Sequence, residues 1–311
     1  AVSMARVSDP EQWDARMFQY VSVSFDKHLN ARSFFRQIDA VRENYAIVLT
    51  ELRTAGLPEV FAAVPYLESR YKPHMQSIVC AKGYWQFMPE LAHRLRIKNG
   101  VDIRVESCTV EKSDGSTFKW TPEKFAPPRG LKNGGLYVNL DAAGDPVCAI
   151  PIAGGCKVDD RTDLVKSTRA AMVSLGEAWN DPELARSGAG VAITISSHNA
   201  GYDDGRYGIK KKSNLRFAYP RWAKAQSSED SHKFYGENIR CATSHETSWC
   251  GSSIPSETQH YAYNIVAQHM LAVCYYGQNY RDEFEAFQEW DALLEAGAYC
   301  DHFSIPLKGT L

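Results

Sequence analysis

The chain has 311 residues, 44% of them hydrophobic, and its 35 basic and 37 acidic side chains give a formal net charge of −2. That length and apolar share can bury a substantial core, and one domain carrying an insertion is the expected arrangement. The near-neutral balance leaves no basic stripe of the kind nucleic-acid binding needs, so that partner class is excluded and Lys210-Lys211-Lys212 reads as a solvated loop.

No apolar run approaches the ~20 residues that cross a bilayer, so no transmembrane segment is expected. The start of the sequence is not expected to be a signal peptide, and the chain is expected to be the mature or trimmed form of an exported protein. The cysteines are Cys80, Cys108, Cys148, Cys156, Cys241, Cys250, Cys274 and Cys300. They show neither Cys-x-x-Cys nor Cys/His zinc spacing, so no metal or other cofactor is expected. An even count suits disulfides formed in an oxidising compartment. Cys241 with Cys250 is the most local pairing, and the pattern leaves the others open.

From Asp9 to Arg53 the sequence is charged and aromatic, and Phe35, Ile38, Val41 and Tyr45 recur at helical spacing, predicting helices that brace a core. Gly56 ends the last of them, and Pro58 suits the first turn of the next. In that next helix Leu57, Phe61, Val64, Glu68 and Tyr71 fall on one face. Pro65 is expected to bend it just before Glu68, placing the acid at a helix end. A carboxylate in an apolar stripe loses hydration, which favours its protonated form and suits it to donate a proton near neutral pH. The alternative is a buried Glu neutralised by a neighbour such as Arg70.

Beyond Pro89 a short helix, Glu90 to Ile97, runs into the turn signal Asn99-Gly100. From Val101 to Cys156 the pattern changes to alternation at Val101, Ile103 and Val105, punctuated by Ser113-Asp114-Gly115, Pro127-Pro128 and Asn133-Gly134-Gly135. This predicts a β-rich segment with Cys108, Cys148 and Cys156, among which a disulfide would compensate for a small core. Asp159-Asp160 read as cap and first-turn acids of a helix with Leu164, Thr168, Ala171, Leu175 and Ala178 on one face. Gly188 to Gly201 is dense in small residues that let helices approach closely, and the segment 202–253 is polar and rich in Gly, Ser and Lys. A last long helix begins near Pro255, with Tyr261, Ile265, Val266, Met270 and Val273 facing the core.

Four blocks then occur in one order. Glu68-Ser69 is followed by Ser77 and Gly83-Tyr84-Trp85-Gln86-Phe87-Met88-Pro89; Asp159-Asp160-Arg161 leads into Lys166-Ser167-Thr168-Arg169-Ala170-Ala171; then come Ser197-His198-Asn199-Ala200-Gly201 and Ile254-Pro255-Ser256-Glu257-Thr258 with Tyr261. Together they resemble the soluble lytic transglycosylases and goose-type lysozymes, the SLT-domain family, over about 57–100, 157–203 and 253–275. The resemblance implies an α+β fold, a predominantly α-helical lysozyme-like domain with a β-rich insertion. Its expected layout is bracing helices over 1–56 and a catalytic domain over 57–311, interrupted by the insertion at 101–157.

The implied activity is cleavage of peptidoglycan glycan strands by a periplasmic or secreted enzyme. Such a reaction needs a proton for the leaving oxygen and stabilisation of an oxocarbenium-like sugar. Glu68 is the expected acid, then the base on the carbon-6 hydroxyl, closing a 1,6-anhydro ring. Candidate substrate-binding residues are Ser77, Tyr84, Gln86, His198, Asn199 and Tyr261. The Gln86 amide suits sugar hydroxyls or acetamido groups, while Tyr84 offers a stacking face or core packing and Trp85 reads as core. Asn199 and Tyr261 read alternatively as a helix-end cap and core packing, and Glu257 as a first-turn acid.

The chain departs from the family pattern at two places. His198 stands where Tyr is common, which puts substrate preference in question, and Cys80 stands where Gly is common, which suggests a disulfide tethering the loop behind Glu68. Asp203 and Asp204 follow Asn199-Ala200-Gly201, where they would favour a cationic, deacetylated amino sugar or close the helix as a solvated turn. They are also candidates, with Asp159 and Asp160, for the second carboxylate of a hydrolytic lysozyme-like reaction. An inactive glycan-binding module is the remaining alternative.

Overall fold

The computed structural model describes residues 32–112, 114–121, 138–181, 190–200, 256–288, 300 and 304–311. In chain order these form helices α1 (Arg32–Ala40) and α2 (Arg42–Thr54), a 3₁₀ turn (Glu59–Ala63), then α3 (Val64–Ser69) and α4 (Pro89–Asn99). Strands β1 (Val105–Glu111), β2 (Thr117–Trp120), β3 (Val138–Leu140), β4 (Pro146–Cys148) and β5 (Cys156–Asp159) follow. After a second 3₁₀ turn (Asp160–Thr162) come α5 (Leu164–Trp179), α6 (Gly190–Ala200), α7 (Ser256–Tyr280), α8 (Glu285–Gln288) and a last 3₁₀ turn (Lys308–Thr310). The class is α+β as expected; among the described residues β1 to β4 fall in the segment read as β-rich, while β5 begins at its last residue, Cys156, and runs on to Asp159. No helix among the described residues is long and apolar enough to cross a membrane.

The chain divides into two compact units, one of Ala1–Val64 with Ser174–Leu311 and one of Pro65–Val173. In the first, α7 packs against α6, the 59–63 turn, α1 and α8. Tyr261, Ile265, Val266, Met270 and Val273 are buried as the periodicity predicts, but so are Tyr263, Leu271, Tyr275 and Tyr276 on its other sides. A helix buried all round is a core helix rather than a surface one. Two of its polar groups bond to α1 and α2: His269 Nδ1 lies 2.8 Å from Tyr45 Oη, and Tyr276 donates to Ile38 O at 2.7 Å. Tyr275 and Tyr280 both donate to Asp39 Oδ1. The Cys274–Cys300 disulfide belongs to this unit.

The continuous face expected from Phe35 to Tyr45 is broken. Val41 N–H donates to Ile38 O at 3.2 Å and Val41 O accepts from Tyr45 N–H at 2.9 Å, so Val41 closes α1 and opens α2. Phe35, Ile38 and Tyr45 are nonetheless buried.

In the second unit, β2-β1-β5 form an antiparallel sheet and β3-β4 a hairpin. Val101 and Ile103 precede the sheet rather than joining it, since β1 starts at Val105. Cys108 faces Cys156 in register and is joined to it by a disulfide, while Cys80 is joined to Cys148. Both bonds were anticipated in kind; a Cys241–Cys250 bond falls outside the described residues. Cys108, Val110, Trp120, Val138 and Ile150 are buried as a small core. Closing the long loop between Cys80 and Cys148 restricts the unfolded chain by about 4 kcal/mol on the loop-entropy model. Helix α4 begins with Pro89 and ends on Gly100 at φ 69°, a left-handed cap that glycine adopts without steric cost.

Asp159 and Asp160 do not cap α5. The cap is Asp163, whose Oδ1 accepts from Lys166 N–H at 2.9 Å. Thr168, Ala171, Leu175 and Ala178 are buried along α5 as predicted, and Leu164 is half-buried.

Candidate active site

Glu68 does not lie in one continuous helix from Leu57. Leu57 and Pro58 are outside regular structure, Glu59–Ala63 is 3₁₀, and α3 begins only at Val64. Pro65 therefore falls in the first turn of α3, where its missing N–H is needed by no partner, rather than inside a longer helix. The burial pattern survives the change: Leu57, Phe61, Val64 and Tyr71 are buried while Glu68 is half-buried. Helix α3 ends at Ser69, immediately after Glu68.

The turn after the helix is strained. Arg70 and Tyr71 stand at φ 54° and 56°, left-handed values that non-glycine residues hold at a cost of about 1–3 kcal/mol each. Compensation comes from Arg70 N–H to Tyr66 O at 3.0 Å and Tyr71 N–H to Pro65 O at 3.3 Å, and from the Arg70 guanidinium stacked 4.5 Å from the Tyr66 ring centre. Ser69, almost wholly buried, has Oγ 3.1 Å from Pro65 O and 2.9 Å from Tyr84 O. With one proton to donate, it ties the end of the acid-bearing helix to the loop that carries Tyr84 and Gln86.

That loop is built on its backbone. Ser77 Oγ accepts from Val79 N–H at 3.3 Å and Ala81 N–H at 3.0 Å, and Ser77 N–H donates to Ala81 O at 2.8 Å. Gln86, itself at φ 48°, donates from Nε2 to Met75 O at 3.0 Å and Gly83 O at 2.9 Å. Its amide hydrogens are thus spent on the loop, and Oε1 is the group left to act as an acceptor. Trp85 is core, fully buried, with Nε1 donating to Thr168 Oγ1 at 3.0 Å. Tyr84 is 9% exposed with its ring edge-on to Tyr71, and burial, then the Asp163 carboxylate, push its hydroxyl pKa up.

The loop is anchored by charges whose role the sequence did not reveal. Arg161, 1% exposed, donates from Nε to Asp159 Oδ1 at 2.7 Å and from Nη2 to Asp159 Oδ2 at 2.8 Å. Its Nη1 donates to Cys80 O and Phe87 O, both at 2.9 Å, gripping the loop on either side of Gln86. Lys82 Nζ reaches Ile152 O at 2.9 Å and Asp159 Oδ2 at 3.4 Å. Burial opposes ionisation of Asp159, but the hydrogen bonds and charge of Arg161, with Lys82, hold its carboxyl below the usual range. Gly83, at φ 84°, rests on this anchor so closely that a Cβ would stand 1.8 Å from Arg161 O. A signal did exist for Lys82: it is an isolated cation in the apolar stretch from Met75 to Pro89.

Glu68, Ser77, Tyr84 and Gln86 thus share the Pro65–Val173 unit. His198 and Asn199, half-buried in the last turn of α6, and Tyr261, buried in α7, belong to the other unit. Asp203 and Asp204 lie outside the described residues. Among the described residues no group of His, Cys, Asp and Glu is arranged to hold a metal ion.

Residues 47–110 match the family model of the transglycosylase SLT domain. The matched span contains Glu68, Ser77, Tyr84 and Gln86; the blocks at 157–203 and 253–275 lie beyond it. Comparison with curated proteins gives no match.

Proposed function

We infer, from an SLT-domain core at residues 47–110, that this chain cleaves peptidoglycan, breaking the β-1,4 bond between N-acetylmuramic acid and N-acetylglucosamine as a lytic transglycosylase. The observation that carries the reading is the position of Glu68 inside the matched span, half-buried at the end of a short helix held by Ser69 and by a strained turn.

In this reaction Glu68 gives its proton to the glycosidic oxygen as the bond to carbon 1 breaks. The resulting carboxylate takes the proton of the carbon-6 hydroxyl while that oxygen bonds to carbon 1. The products are a free carbon-4 hydroxyl and a 1,6-anhydromuramic end, and Glu68 regains its proton, so one carboxyl serves as acid and base. Gln86 Oε1 would accept from a sugar donor, the Ser77 hydroxyl would donate, and Tyr84 would contribute its hydroxyl or ring edge. Asn199, His198 and Tyr261 are further binding candidates on the family resemblance alone. Such an enzyme works in the periplasm or after secretion, which its disulfides suit.

Hydrolysis is the second reading, and it needs another carboxylate to activate water. Asp159 and Asp160 are poor candidates because both are engaged: Asp159 by Arg161 and Lys82, and Asp160 Oδ2 by Arg104 N–H at 2.9 Å and Lys166 Nζ at 3.2 Å. Asp203 and Asp204 remain the candidates, and a preference for deacetylated strands belongs to this reading. Mass spectrometry of digested sacculi separates the two. Anhydro-ended muropeptides are expected; reducing ends would mean a lysozyme, and undigested wall a binding module.

A further inference from the structure

The exposed large apolar side chains of the described residues are not scattered. Five of the eight, Met75, Ile78, Val79, Val147 and Ile152, come from two short stretches of the Pro65–Val173 unit. Ile78, 58% exposed, and Val79, 45% exposed, are the central residues of a tight turn closed by Cys80 N–H donating to Ser77 O at 3.0 Å. Ile152, also 58% exposed, opens a second turn over 152–154, with Gly154 at φ 65°. Three links set these turns side by side: the Cys80–Cys148 disulfide, Gln76 Nε2 donating to Ile150 O at 2.8 Å, and Lys82 Nζ donating to Ile152 O at 2.9 Å. Single exposed aliphatics are ordinary on a protein surface, whereas a cluster on tips that are tied down marks an interaction site.

The charge on these two stretches has one sign. From Ser69 to Pro89 the basic residues are Arg70, Lys72, His74 and Lys82, from Pro146 to Val158 there is Lys157, and neither stretch contains Asp or Glu. Lys82 is engaged by Asp159, but Lys72 and Lys157 are exposed and enter no ion pair among the described residues. Lys72 adjoins the patch, since its carbonyl accepts from Met75 N–H at 3.3 Å. Val147 shares a cleft with Glu111 and Asp141, so it borders the patch rather than belonging to it.

We propose that Met75, Ile78, Val79 and Ile152 dip into an anionic lipid surface, with Lys72 and Lys157 against its headgroups. Four part-exposed side chains fall short of the roughly 800 Å² that each partner buries in a standard protein–protein interface, so a second copy or another protein fits the patch poorly. A bilayer asks for less. A few aliphatic side chains at the acyl boundary, with cations drawn to anionic headgroups, give reversible attachment without a membrane-spanning helix. Convex turn tips also suit a soft surface that yields around them. The attachment is independent of the reaction proposed for Glu68.

The test is co-sedimentation of the whole disulfide-bonded chain with vesicles of phosphatidylcholine alone and of phosphatidylcholine with about one-third phosphatidylglycerol. Binding is expected to the anionic vesicles and to weaken as salt is raised. Ile78→Ser with Ile152→Ser should weaken it by about tenfold or more, and Lys72→Gln and Lys157→Gln by about fivefold each. Leu307→Ser, at a 55% exposed leucine of the other unit, should change nothing. All of these positions are exposed, and unchanged circular dichroism spectra would show that the variants fold. Absence of binding to anionic vesicles, equal binding to both compositions, unchanged binding of the double isoleucine variant, or an equal loss with Leu307→Ser would overturn the proposal. A concentration-dependent dimer in sedimentation velocity that Ile78→Ser abolishes would assign the patch to a second copy and overturn it as well. Because binding is read without turnover, a chain that binds vesicles but leaves walls uncut would overturn the proposed reaction alone.

Discussion

Arg161 holds Asp159 by both carboxylate oxygens, at 2.7 and 2.8 Å, while its remaining nitrogen holds the carbonyls of Cys80 and Phe87. One buried guanidinium thereby connects the end of β5 to the loop carrying Gln86. Removing it leaves the buried Asp159 charge to the longer contact with Lys82 and frees both carbonyls. Arg161→Ala is expected to destabilise the chain by about 3–5 kcal/mol, read as a lower urea midpoint. Arg161→Lys should recover only part of this, because an ammonium cannot reproduce the fork.

The same pair sets an acid limit. The folded carboxyl of Asp159 has a lowered pKa, so its contribution is fully present above its unfolded value of about 3.9. As pH falls below that value the unfolded chain takes up the proton first, and stability drains until the folded carboxyl is protonated too. Asp159→Asn is expected to lower stability at neutral pH and to flatten the decline below about pH 4 in denaturation measured across pH. An unchanged decline would assign it to other carboxylates.

A second pH effect begins nearer neutrality. Burial lowers the pKa of His269 from 6.5 to about 3, so the folded chain holds it neutral. Below about pH 6.5 the unfolded chain binds a proton that the folded one refuses, and stability falls with pH from there. His269→Gln should remove the slope between about pH 6 and pH 4 in melting curves. A retained slope would assign it to another group.

Gly83 has no tolerated replacement. A Cβ 1.8 Å from Arg161 O would clash with backbone that the buried pair holds in place, and φ 84° adds strain for any L side chain. Gly83→Ala is expected to cost more than about 2 kcal/mol or to prevent soluble expression. Wild-type stability in this variant would mean the loop can move off Arg161.

Glu68→Gln preserves shape and removes the transferable proton. It is expected to lower sacculus cleavage by at least about 10²-fold with an unchanged circular dichroism spectrum. Retention of more than a few per cent of the wild-type rate would assign the acid role to another residue.

What the sequence determined by itself is local. Gly56 and Gly100 ended helices because left-handed φ values suit glycine, Pro89 opened α4 because a first turn needs no N–H, and the 3.6-residue period in α5 and α7 named buried positions correctly. The order of blocks around Glu68 was legible because short motifs carry their own turn chemistry. The phase of the helix before Glu68 was not, since a 3₁₀ segment and an α-helix bury similar positions through different turns. Nor was the loop's anchor legible. Asp159 looked like a cap because helix signals are read from neighbours in the chain, whereas its partners are Arg161, whose other bonds reach back to Cys80 and Phe87, and Lys82. Only the tertiary structure brings such distant groups into one buried site, where low polarity turns an ordinary surface triplet into the support of the Gln86 loop.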